Sequence, residues 1–174
     1  MAQPDPVRIE SLNSQGTGVR AEFERLGDRF GHTIYFVDID NHRAVWRSHP
    51  TLPGQPVFQE LHQQQTTKQQ AILFLSGAVT GVHWSMSVEA ATPGRLSFDV
   101  AARVAKPRVL EAIHYERLDG SLNAIAGAMQ FLVHESVTVL HQDNYNVALH
   151  RATAGEINTP ATIRWQYSVE VAMS

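Results

Sequence analysis

Residues 81–104, GVHWSMSVEAATPGRLSFDVAARV, alternate apolar and polar side chains on both sides of a turn. Side chains in a strand repeat every two residues, so this pattern fits a hairpin with one buried and one wet face. Trp84, Met86, Val88 and Ala90 share the apolar face with Leu96, Phe98, Val100 and Ala102. His83, Ser85, Ser87 and Glu89 share the other with Ser97, Asp99, Ala101 and Arg103. Thr92-Pro93-Gly94 supplies the turn, where a fixed φ and a positive φ are both useful. One register sorts both faces. It pairs Trp84 with Ala102, Met86 with Val100, Val88 with Phe98 and Ala90 with Leu96. It also pairs His83 with Arg103, Ser87 with Asp99 and Glu89 with Ser97. A slip of one residue would set apolar groups opposite polar ones.

The rest of the chain repeats this rhythm. After residues 1–6, read as a flexible tail, one all-β domain is expected over residues 7–174. Val7–Leu12 is a first strand, and Gly18–Leu26 pairs with Phe30–Ile39 across Gly27-Asp28. That places Phe23 against His32, Ala21 against Ile34 and Val19 against Phe36. Large apolar groups on both faces of 30–39 put that strand near the middle of the structure. The Asp40-Asn41 turn is expected to bring Phe36 opposite Val45 and Tyr35 opposite Trp46. Residues 49–56, with three prolines and a glycine, form a loop.

Residues 57–65 are read as a strand in preference to a helix, followed by a strand over 71–76. Val109–Leu118 is another strand. Ser121–Met129 is the one short helix candidate, with Ser121 as its N-cap. Val139 is expected to face Val147, and Val137 to face Leu149. Residues 161–171, ATIRWQYSVEV, form a long final strand. About ten short strands joined by tight turns, with no βαβ rhythm, define an antiparallel all-β fold. Local hairpins favour a meander barrel with a lipocalin-like layout, and a two-sheet sandwich fits as well.

Composition narrows function mainly by exclusion. The net charge of −3 gives no electrostatic reason to expect nucleic acid or an anionic membrane as a partner. With no cysteine there are no disulfides and no thiolate metal ligands. The first ten residues carry no apolar core, so no signal peptide is expected, and no run approaches the roughly 20 apolar residues of a membrane span. A cytoplasmic location follows as the default.

No motif in the chain names a reaction. Nine histidines invite a metal hypothesis. Their spacing opposes it: there is no His-x-His and no His-Glu-x-x-His, so neither a metal nor another cofactor is expected. Only His32 and His49 are brought near each other by the expected registers. The polar face of the 81–104 hairpin offers His83, Asp99 and Arg103 as candidate catalytic groups, should that face line a cleft. A wet sheet face is polar by default, which is the plainer reading.

Three functions are therefore carried forward. The first is a non-catalytic module binding a small, mostly apolar ligand among Trp84, Phe98 and Trp165. It requires a ligand-sized space between those rings. The second is a hydrolase- or isomerase-type enzyme using His83, Asp99 and Arg103, which must then converge. The third is an assembly protein, a homodimer formed through strand 161–171 at a sheet edge.

Overall fold

The computed structural model describes residues 5–65, 71–107, 110, 113–118, 129–134, 137–142, 146–151, 157 and 159–172. Thirteen strands are found among them: β1 (Val7–Leu12), β2 (Gly18–Leu26), β3 (Arg29–Asp38), β4 (Asn41–Ser48), β5 (Glu60–Gln65), β6 (Ala71–Val79), β7 (Val82–Thr92), β8 (Arg95–Val104), β9 (Ile113–Arg117), β10 (Met129–Val133), β11 (Val137–Gln142), β12 (Asn146–Arg151) and β13 (Ala161–Val171). They form two antiparallel sheets. One has seven strands in the order β1-β2-β3-β4-β9-β12-β11, the other six in the order β10-β13-β8-β7-β6-β5.

Each sheet begins as a four-strand meander, β1–β4 and β5–β8. Of the later strands, β9, β11 and β12 join the first sheet and β10 and β13 the second. Both sheets keep open edges, so the layout is a two-sheet sandwich and not the closed barrel that local hairpins suggested. Alternation reports which face of a strand is buried. It does not report whether the last strand returns to the first.

The central hairpin forms as expected. Trp84 faces Ala102, Met86 faces Val100, Val88 faces Phe98, Ser87 faces Asp99 and His83 faces Arg103. Near the turn the register shifts between Glu89 and Thr92, so Ala90 and Leu96 leave the ladder. The β2–β3 pairing also matches, with Phe23 opposite His32.

Two other registers are corrected. The β3–β4 turn is tighter than expected, pairing Asp38 with Asn41, and an irregularity at Ile34/Tyr35 sets Ile34 opposite Trp46. Val139 pairs with Leu149 and Val137 with Arg151, two residues away from the expected register. In both cases turn residues alone do not fix the loop length, and an irregularity in the ladder takes up one residue of the offset.

Residues 60–65 are strand, as favoured over helix, although the strand starts at Glu60 and not at Val57. The strand expected over 109–118 is seen at Ile113–Arg117. In the helix candidate, residues 121–128 lie outside the described residues, and Met129 opens β10.

The final strand is corrected in its position. β13 lies between β10 and β8, paired with β8 along Ala161–Glu170. Its alternating pattern is that of a strand with one face in the core. β10 covers its other side over Tyr167–Val171.

The inner faces of both sheets meet in one apolar core, which includes Phe23, Ile34, Leu73, Phe98 and Trp165. Backbone bonds stitch the sandwich along one side: Phe30 N–H donates to the Phe58 carbonyl at 2.7 Å and Gln59 N–H to the Ser76 carbonyl at 2.7 Å. On the other side Ser11 Oγ donates to the Thr92 carbonyl at 2.7 Å. Among the described residues no helix is long and apolar enough to cross a membrane.

Candidate functional site

The outer face of the six-stranded sheet is organised in cross-strand rungs. One rung runs His62, Phe74, Ser87, Asp99, Gln166. The next runs Glu60, Ser76, Ser85, Ala101, Arg164. Small side chains at Ser76, Ser85, Ser87 and Ala101 make a low floor, while Phe74 and Arg164 stand above it. The result is an open groove of about 560 Å³ across β6, β7, β8 and β13.

Asp99 is held by β13. Arg164 Nε donates to its Oδ1 at 3.2 Å, Arg164 Nη2 donates to Oδ2, and Gln166 Nε2 donates to Oδ2 at 3.2 Å. A carboxylate offers about four acceptor sites, and these three donors leave one unused among the described residues. Hydrogen bonding to Asp99 raises the Arg164 guanidinium above its ordinary range. The Ser85 and Ser87 hydroxyls have no hydrogen-bond partner among the described residues. Phe74 is 40% exposed and is the one aromatic among the exposed large apolar side chains described.

The three candidate catalytic groups are only partly brought together. His83 and Arg103 face each other on an exposed rung and do not line the groove. Asp99 sits two rungs away, about 13 Å along the strand at roughly 3.3 Å per residue.

The three candidate ligand-binding rings are buried in the core. Trp84 packs on Trp165 with ring centres 5.7 Å apart. Phe98 stacks on Tyr167 at 5.0 Å and on His32 at 5.8 Å. Their neighbours are other side chains, and the rings act as packing. Trp165 Nε1 is buried with no hydrogen-bond partner among the described residues. Trp84 also reaches the floor of a separate cleft of about 250 Å³ at one end of the sandwich, beside Leu52, Val79 and Leu110.

A buried polar string spans the two sheets, and nothing in the sequence pattern marked it. His32 Nε2 and Tyr115 Oη share a hydrogen bond of 2.8 Å; Tyr115 and Tyr167 hydroxyls share one of 2.6 Å. Burial pulls the His32 imidazole down to about 3 and pushes both phenols up, Tyr115 well above its ordinary value. His32 is therefore neutral at ordinary pH, sandwiched between Phe23 and Phe98. His32 and Tyr167 border a pocket of about 20 Å³, room for a single water by the size criterion for buried solvent.

His49 is 3.5 Å from Glu116 and takes no part in the string. Among the described residues no three His, Asp or Glu side chains are grouped to hold a metal ion.

Phe74 and Arg164 were missed for an identifiable reason. The 71–76 strand is apolar in both phases from Ile72 to Leu75, so its sequence does not show that Phe74 faces outward. Arg164 reaches Asp99 only through the β8–β13 pairing, which joins positions 65 residues apart. Comparison with known proteins adds no relative: no family model matches the chain, and neither a curated protein nor a solved structure is similar to it. The fold and site define an antiparallel β-sandwich with a polar groove on its six-stranded sheet.

Proposed function

We propose that this protein is a non-catalytic binding module that holds a small polar ligand in the groove over β6, β7, β8 and β13. The observation that carries this reading is the pair of hydroxyls, Ser85 and Ser87, that have no partner among the described residues and lie on the groove floor beside an anchored carboxylate. A site with few, fixed polar groups and one apolar wall orients a ligand without reacting with it. Asp99 stands opposite Ser87 but is committed to Arg164 and Gln166, and no imidazole lines the groove beside β7 and β8, so general acid–base chemistry has less support here than binding. The ion pair also leaves that side of the groove without net charge, which favours an uncharged ligand.

This reading replaces the small, mostly apolar ligand expected between Trp84, Phe98 and Trp165 with a polar one on the sheet surface. The enzymatic alternative on His83, Asp99 and Arg103 has less behind it, because the imidazole and the carboxylate lie two rungs apart.

The test is an amide NMR titration of the full chain with a panel of polar small molecules: neutral sugars, adenosine and a neutral tetrapeptide. At least one should shift Ser85, Ser87 and Ala101 selectively. A Ser87→Trp variant, which fills the floor from an outward position, should lose those shifts at an unchanged thermal midpoint. Shifts that persist in Ser87→Trp would sink the proposal, as would a panel that never moves these amides.

A further inference from the structure

We infer that the groove takes a saccharide, with the C–H face of a pyranose ring on Phe74 and its hydroxyls on Ser85, Ser87 and the unused acceptor site of Asp99. This rests on the groove reading above and narrows it to a substrate class.

The backbone is the first consideration. β6, β7 and β8 are each paired on both sides, so their N–H and C=O groups are spent within the sheet. An extended peptide is recognised mainly through free backbone groups at a sheet edge. Over β6, β7 and β8, the floor of the groove, such groups are absent, and there side chains must do the recognition. The ligand must then bring many hydrogen-bonding groups of its own.

Charge is the second consideration. Asp99 and Arg164 cancel, and no cluster of cations lines the groove to hold phosphates. Nucleotides and other polyanions lack a counterpart here. A sugar hydroxyl both donates and accepts, which matches two serine hydroxyls and one spare carboxylate lone pair.

Phe74 is the third consideration. A phenyl ring 40% exposed on a mostly polar face gains by being covered. It shares a rung with Ser87 and Asp99, with one strand between ring and carboxylate. At about 4.8 Å between strands, ring and carboxylate stand roughly 10 Å apart, with the serine floor between them. A flat molecule seated there meets an apolar surface at one end and acceptors at the other. A pyranose is amphipathic in that sense, with C–H bonds on its faces and hydroxyls around its rim.

The experiment uses cellotetraose, xylotetraose and mannotetraose as probes in the same NMR titration, with adenosine and a neutral tetrapeptide alongside. At least one tetrasaccharide should shift Phe74, Ser85, Ser87 and Ala101. Binding should weaken roughly tenfold in Phe74→Ser, the scale of one lost ring contact, and survive in Phe74→Tyr. The thermal midpoint should stay level in both variants, since Phe74 lies outside the core. Saccharide shifts that are equal in Phe74→Ser and the parent chain would overturn the inference. Should adenosine or the peptide move these amides while the saccharides do not, the saccharide class falls and the groove stands. Silence from every probe removes both.

Discussion

His32 shows how a single residue can look functional in sequence and be structural in the fold. It sits on β3 in the inward phase, opposite Phe23, where an aliphatic side chain would ordinarily go. The fold accepts it because Tyr115 satisfies Nε2 at 2.8 Å and two phenyl rings cover its faces. A buried polar group that is hydrogen-bonded costs little, whereas the same group charged costs a great deal. Burial lowers its pKa from 6.5 to about 3, so between those values the unfolded chain binds a proton that the folded chain refuses. Stability from this group is complete above pH 6.5, declines as the pH falls, and levels off near pH 3. At pH 4.5 the loss should be about 2–3 kcal/mol relative to neutral pH. Urea unfolding at pH 7.5 and 4.5, for the parent chain and for His32→Phe, measures it. The variant should show an acid loss smaller by that amount, since phenylalanine keeps the ring stack and titrates nothing. Equal losses in both chains would mean that His32 is accessible or charged in the fold.

At the scale of elements, the strands legible in the sequence were those with one wet face. β7, β8 and β13 alternate cleanly, and the β7–β8 register followed from matching their faces. Strand β6 was harder, because Ile72, Leu73, Phe74 and Leu75 are apolar in both phases, and only the fold separates Leu73 at 0% exposure from Phe74 at 40%. Which sheet a strand joins was not legible, because pairings such as β8–β13 and β4–β9 join strands far apart in sequence. The polar face of the hairpin could be named, but its groove needed Arg164 and Phe74 from neighbouring strands. Gly77 was hidden in the same way. It lies within β6, and a Cβ there would overlap the Val57 carbonyl oxygen and press on Gln59 N at 3.0 Å. The 57–59 segment, which donates to Ser76 and accepts from Phe30, can cross β6 only at a residue with no side chain. Gly77→Ala should therefore push this segment off the sheet and destabilise the protein by about 1–3 kcal/mol, the usual cost of overpacking. Chemical denaturation reads it directly. Gly81→Ala is the control, since nothing lies within 4 Å of a Cβ there and only its φ of +78° resists the change. A Gly77→Ala variant as stable as the parent would show that the 57–59 segment does not lie against β6.

At the scale of the whole molecule, the strands of the six-stranded sheet differ in how far they are paired and buried. β7 and β8 are paired on both edges, bury Val88, Leu96 and Val100 to 0–1% exposure, and carry the groove on their outer face. β5 is an outer strand of the same sheet, with one partner and with Glu60, His62 and three glutamines turned to solvent. Edge strands with charged and polar side chains resist pairing with another chain, and the same exposure makes them cheap to open. Amides of β7 and β8 should therefore exchange with solvent only through global unfolding. Those of β5 should exchange through local opening at a free energy well below the global value. Hydrogen exchange followed by NMR or mass spectrometry separates the two classes. The measurement also bears on assembly, because β13 is interior and β5 is the exposed edge beside the groove. A second copy adding itself to the sheet there would protect β5 as fully as β8, and the protection would grow with protein concentration. Fast, concentration-independent exchange in β5 would leave the groove open at its β5 side, where His62 stands on the same rung as Phe74 and a ligand longer than one ring would extend.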